Sequence, residues 1–307
     1  MPLSIFGFRA LWSPWYFLTL VVVVLLYYLI TVKWRDRFPE STPLTRKQII
    51  CFGSGITLLY IVKGSPVDLL GHILFSIHMT QMALLLLMIA PLLIMGIPNW
   101  VWKTIFEVKI IDSVFRFFTK PLLSLLLFSL TFSFYHIPMF LDNIKMSSVL
   151  HAGFTITIFM SAIFLWWPLV NTLEGQPKLH GLMKIGYIIL SAILITPACA
   201  LIIFAGVPVY ETYQSGEAWL KAMALCVPSG TLAGLSGLGI SGPELFTNMS
   251  TVVDQQLGGI VMKTVQEIIY IIVLGKTFSA WSKEEKASVE EITQKDLLER
   301  QNLTMHG

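Results

Sequence analysis

Long stretches without a single Asp, Glu, Lys or Arg dictate what this chain can become. Trp15 to Val32, His72 to Met95, Pro121 to Phe140, Val149 to Val170 and Ile185 to Val207 are all of this kind. Each is close to the roughly 20 residues an α-helix needs to cross a hydrocarbon core of about 30 Å. Only segments that satisfy their own backbone hydrogen bonds can occupy that core, so these runs read as transmembrane helices. Gln255 to Leu274 reads as another, with polar residues along part of it. A shorter run, Gln48 to Val62, carries Gly53 and Gly55 and is expected to pack closely against a neighbour. The first run is too long for a signal h-region, follows only Arg9 and lacks a small-residue cleavage site, so it reads as a permanent span.

The expected fold is therefore all-α, a polytopic transmembrane bundle of seven spans. It covers residues 1–281, with a long outer loop at 208–254 and a charged cytoplasmic tail at 282–307. Composition agrees. With 55% of 307 residues hydrophobic, 13% charged and a mean hydropathy of +0.73, there are too few polar side chains to cover a water-soluble globule. The lipid bilayer is the expected solvent. A net charge of +3 with dispersed basic residues gives no footprint for nucleic acid. Cys51, Cys199 and Cys226 lie too far apart to suggest a disulfide framework or a zinc site, and read as packing residues.

Lysine and arginine in short loops mark the cytoplasmic side. Lys33, Arg35, Arg37, Arg46 and Lys47 follow the first span, and Lys103, Lys109, Arg116 and Lys120 follow the third. Lys178 and Lys184 follow the fifth, and Lys283, Lys286, Lys295 and Arg300 lie in the tail. The alternate loops hold only Arg9, Lys63, Lys145 and Lys221. This places the N-terminus outside and the C-terminus in the cytoplasm. Trp100 to Phe118 mixes aromatic and basic residues and is expected to lie as an amphipathic stretch on the inner surface. Ala222 to Ile240 is apolar but interrupted by Pro228, Gly230, Gly234, Gly237 and Gly239, and reads as part of the outer loop, packed or re-entrant.

With that topology, four histidines from separate stretches fall near the outer surface. His72 and His78 lie at the entry of span three, His136 at the exit of span four and His151 at the entry of span five. Methionines accompany them: Met79 and Met82 beside His78, Met139 after His136, and Met262 in span seven. His78 and Met82 are four residues apart and share a helix face, while His72 lies on another. Imidazole with thioether is a soft donor set, and thioether favours Cu(I) over zinc or magnesium. The same residues also admit an ordinary reading, with methionines filling gaps between helices and histidines bonding backbone carbonyls. In span seven, Gln255, Gly259, Met262 and Gln266 share a face that should turn inward. Lys263 and Glu267 are spaced to pair with each other, Asp254, Gln256 and Met262 stand nearer the outer site, and Gly258 and Gly259 permit close helix approach.

The run His78-Met79-Thr80-Gln81-Met82, with Ala90-Pro91-Leu92-Leu93 and Gly96-Ile97-Pro98, resembles the signature of the CtaG family, cytochrome c oxidase assembly factors of Gram-positive bacteria. So do Tyr135-His136-Ile137-Pro138, Trp166-Trp167-Pro168, and Asp254-Gln255-Gln256-Leu257-Gly258-Gly259 leading to Met262. The resemblance covers spans two to seven. It implies a multi-pass protein of the bacterial plasma membrane, needed for active cytochrome c oxidase, with a part in copper delivery and no catalysis of its own. Cytochrome c oxidase subunits and a copper donor protein are the implied partners. Many relatives carry histidine where this chain has Met82, and a histidine-rich pair where Gly153 and Phe154 follow His151, so this set is richer in thioether.

The expected site holds Cu(I) transiently with His78, Met79, Met82, His136 and His151, together with His72, Met139, Asp254 and Met262. A copper transporter would need a polar route through the bilayer, which the apolar inner halves of spans three to five argue against. A metal-free assembly scaffold is the other alternative. Enzyme signatures are missing: there is no His-Glu-x-x-His, and the glycines from Gly230 to Gly242 lack the lysine of a phosphate loop. Lys263 in a seventh span suggests a retinal protein only until span three is seen to offer no carboxylate counter-ion.

Overall fold

The structure, a computed structural model, describes residues 3–214, 216–237, 239 and 241–305. Among these it is all-helical, with no strand. Helices α1 (Gly7–Trp12) and α2 (Pro14–Tyr28) run on through a π turn to form the first apolar span, Leu3–Lys33. Helix α3 (Arg46–Gly64) begins with a capping box, in which the Thr45 hydroxyl accepts from the Gln48 amide at 3.2 Å and Gln48 Oε1 accepts from the Thr45 amide at 2.9 Å. A bend of 49° separates it from α4 (Pro66–Ile73).

Next come α5 (Phe75–Ala83), a π segment (Leu84–Ile89) and α6 (Ala90–Gly96). In a π turn the Leu86 carbonyl should accept from residue 91, but Pro91 has no N–H to give. The Trp166 indole donates to that carbonyl instead, at 2.9 Å. Helices α7 (Asn99–Phe106) and α8 (Lys109–Phe118) lead to α9 (Pro121–Tyr135), which meets α8 at 73°. Then follow α10 (Pro138–Lys145), α11 (Ser148–Val170), α12 (Gly181–Phe204), α13 (Glu217–Met223), α14 (Ser229–Gly237) and the 55-residue α15 (Thr251–Met305).

Among the described residues, five helical stretches are long and apolar enough to cross a membrane, and the two bent pairs bring the total to as many as seven. Several expected boundaries move. The third span does not run unbroken from His72: Leu74 is extended (φ −118°, ψ 130°), so His72 lies in the last turn of α4 and His78 in α5. The fourth helix stops at Tyr135 rather than Phe140, because His136 leaves helical geometry and Pro138 starts α10. The amphipathic stretch divides into α7 and α8, the latter exposing Ile110, Val114 and Phe117. Within 208–254 the chain forms α13 and α14; α14 is too short to cross a bilayer, and residues 238 and 240 lie outside the described residues. The tail continues the last span as one helix as far as Met305; residues 306 and 307 lie outside the described residues.

Close helix approach explains the last span's register. A Cβ on Gly258 would lie 2.7 Å from Phe75 Cδ1, and one on Gly259 would lie 2.7 Å from Ile203 Cγ1, so side chains of α5 and α12 pack directly onto the glycine backbone of α15. In α3 it is Gly55, against Leu93, that permits contact, while Gly53 faces open space. One large apolar core unites α5, α6, α9, α11, α12 and α15. A second, smaller core joins Phe6, Leu69, Ile73, Trp219, Met223 and Leu235, so the 208–254 segment folds down as a cap over the histidine end of the bundle.

Candidate metal centre

The cap and the ends of three helices bring the histidines together in two pairs. His78 on α5 and His136, the residue that ends α9, have ring centroids 6.2 Å apart. His72, at the end of α4, and His151, in the first turn of α11, have centroids 5.2 Å apart. With metal–nitrogen bonds of about 2.0 Å, and a ring nitrogen roughly an ångström from the ring centre, two imidazoles on one ion have centroids on the order of 5–6.5 Å apart. Both pairs fall in that range. Among the described residues, no three His, Cys, Asp or Glu side chains converge tightly enough to hold one ion.

His136 Nδ1 lies 2.7 Å from the Phe132 carbonyl, which can only accept, so Nδ1 carries the proton and Nε2 presents a lone pair. A backbone carbonyl that fixes a histidine tautomer in this way is the usual outer-shell partner of a metal-binding imidazole. Among the described residues, His136 Nε2, His78 Nε2 and His72 Nδ1 are buried without a hydrogen-bond partner. Leaving a buried polar atom unpaired costs about 1–3 kcal/mol. Tyr210 braces the same corner by donating its hydroxyl to the His136 carbonyl at 2.7 Å.

The remaining expected donors divide. Met79, Met82 and Met262 are buried in the core that holds Tyr135 and Tyr213, whose rings lie 5.9 and 6.1 Å from His78. Met139 is 65% exposed on α10 and turns away from that core. Asp254 is taken up by the scaffold: its carboxylate accepts from the Phe75 amide at 2.7 Å, the Ser76 amide at 3.2 Å and the Ser76 hydroxyl at 2.5 Å. It thus caps α5 from α15 and explains why the chain breaks at Leu74. Gln255, Met262 and Gln266 are all buried along the shared face of α15. Gln256 donates to the Ala205 carbonyl at 3.1 Å, and Lys263 pairs with Glu267 at 2.7 Å while donating to Thr196 at 2.8 Å.

Lys145 is the residue that sequence reasoning missed. Counted there only as a loop charge, it is fully buried, with Nζ donating to Tyr213 Oη at 2.6 Å and to the Gly71 carbonyl at 3.5 Å. The ammonium also lies 3.9 Å from the Tyr213 ring centre. Burial above all, with a smaller push from Lys63, lowers this group to about 7 against the Asp68 and Asp142 carboxylates. Asp142 fixes the strap that covers it, accepting from the amides of Glu211 at 3.1 Å and Thr212 at 3.0 Å. A lone lysine three residues past an aspartate in an otherwise apolar outer segment was the available signal.

These features define a class: a multi-pass helical membrane protein whose interior, at one end, holds paired imidazoles with unused nitrogens. The chain belongs to the family described as cytochrome c oxidase caa3 assembly factor (Caa3_CtaG), whose family model matches residues 25–284. No curated protein and no solved structure matches it. The matched region contains both histidine pairs, the buried methionines and the Asp254 cap.

Proposed function

We propose that this chain serves cytochrome c oxidase assembly by holding Cu(I) between His78 and His136, with thioether support from Met79, Met82 and Met262, and passing it to an oxidase subunit. The ion is cargo and not a resident cofactor. The observation that carries this reading is the His136 ring, fixed through Nδ1 to the Phe132 carbonyl and centred 6.2 Å from the His78 ring, with Nε2 of both rings buried and without a partner among the described residues. Two-coordinate nitrogen ligation with soft neighbours suits Cu(I) and holds it loosely enough for release. The distribution of lysine and arginine supports a site at the outer face of the bacterial plasma membrane, with the C-terminus in the cytoplasm.

A metal-free scaffold is the second reading, favoured by the lack of a three-donor site among the described residues. Transport is disfavoured because Leu86, Leu87, Ile89, Phe128 and Ile158 are wholly buried and apolar. The copper and haem contents of the oxidase in cells lacking this protein separate the readings. Copper delivery yields oxidase with haem but depleted copper; a scaffold yields loss of both together.

A further inference from the structure

Helix α15 turns Gly258, Gly259, Met262 and Gln266 towards α5, α12 and the core, which leaves its opposite face outermost. On that face Ile260, Thr264, Glu267, Ile271, Leu274 and Phe278 follow one another at intervals of four and three residues, the repeat of a left-handed coiled-coil seam. Ile260, Thr264, Ile271 and Phe278 are exposed, and Glu267 and Leu274 are half-buried. A face meant for lipid alone needs neither that repeat nor a carboxylate. Yet Glu267 stands inside the apolar run 255–274 with its side chain 46% exposed. Its Oε1 meets Lys263, and among the described residues its other oxygen accepts no hydrogen bond. The Thr264 hydroxyl, three residues earlier, is also unspent among the described residues, whereas those of Thr155, Thr157 and Thr196 each donate to the carbonyl four residues back. Ionisable groups in transmembrane helices are costly against hydrocarbon and almost always face protein or water.

We propose that α15 pairs along this seam with α15 of a second copy of the chain, the Thr264 hydroxyl of each donating to the Glu267 carboxylate of the other. Complementarity selects the occupant. The face offers one unspent donor and one unspent acceptor on adjacent layers of the seam, so a parallel copy related by a two-fold axis supplies what each lacks, in the same register. Any other transmembrane helix would need the same pair at the same spacing. A polar step in an otherwise apolar seam fixes register and partner number in coiled coils, and Thr264 with Glu267 is such a step. Hydroxyl-mediated bonds between helices are a recognised source of association within a bilayer. The paired helices then run side by side out of the membrane, where Lys283, Glu284, Glu285 and Lys286 are all exposed. This pairing does not depend on the copper reading.

The test reconstitutes the full-length protein in liposomes over a range of protein-to-lipid ratios and reads self-association by energy transfer between donor- and acceptor-labelled copies. Beside it, Ile271→Cys and Ile272→Cys are treated with a short bismaleimide in cell membranes, with the wild-type chain as the baseline for its own three cysteines. Both positions are exposed neighbours, but only Ile271 lies on the seam. The wild-type protein is expected to associate, and Ile271→Cys to crosslink to a dimer at least about tenfold faster than Ile272→Cys. Thr264→Val, which keeps the shape and removes the hydroxyl, is expected to weaken association by about tenfold. A chain that stays monomeric at every ratio, or equal crosslinking at the two positions, would overturn the seam. So would crosslinking of Ile271→Cys only to a different protein, which would give the face to that partner. Wild-type association by Thr264→Val would overturn the link between Thr264 and Glu267.

Discussion

The Asp254 carboxylate accepts a 2.7 Å hydrogen bond from the backbone amide of Phe75, 179 residues earlier in the chain. Together with the bonds from the Ser76 amide and hydroxyl to the same carboxylate, it stands in for a local helix cap where the expected third span divides into α4 and α5. Asp254→Ala leaves the buried Phe75 and Ser76 amides unpaired. A loss of about 1–3 kcal/mol is expected, read as a lower unfolding midpoint in detergent. Because Asp254 acts on the scaffold, the variant that still folds should retain its Cu(I) affinity.

Gly258 and Gly259 make a second structural demand. Gly258→Val places a branched side chain where Phe75 and Met79 already lie, and Gly259→Val does so against Ile202 and Ile203. Each is expected to cost about 1–3 kcal/mol through overpacking. Gly53→Val, which meets nothing, is the control. Folded yield after detergent extraction, compared across the three variants, checks this.

Lys145 predicts a pH dependence with a definite sign. Its folded value, about 7, lies below the ordinary lysine value of 10.5. As pH falls from about 10.5 towards 7, the unfolded chain takes up a proton that the folded chain does not, so stability declines across that window. Below about 7 both states carry the proton and the decline stops. Unfolding midpoints of the wild-type protein should therefore be higher at about pH 9 than at about pH 7. Lys145→Met should flatten that difference. Removing a buried cation beside the cargo site should also tighten Cu(I) binding, by on the order of 1–2 kcal/mol, or about tenfold in Kd.

Much of the bundle was legible because a bilayer imposes its own length on apolar sequence. Trp15 to Val32 and Val149 to Val170 needed no more than counting. The inward face of α15 was equally legible, since Gln255, Met262 and Gln266 recur at helical spacing. The break at Leu74 was not, because its cause is a carboxylate distant in sequence. Nor was the burial of Lys145, which depends on the strap that Asp142 ties across it. The expectation of a soft-metal site came from the donor chemistry of the histidines and methionines alone. Which histidines pair, His72 with His151 and His78 with His136, has no local sequence pattern.

The most direct measurement is the Cu(I) affinity of the purified protein against that of His78→Ala/His136→Ala, with His180→Ala, remote from both pairs in sequence and in the expected topology, as the control. A loss of more than about a hundredfold in the double variant, with none in the control, is expected. Equal affinity in all three proteins would contradict a copper site between His78 and His136.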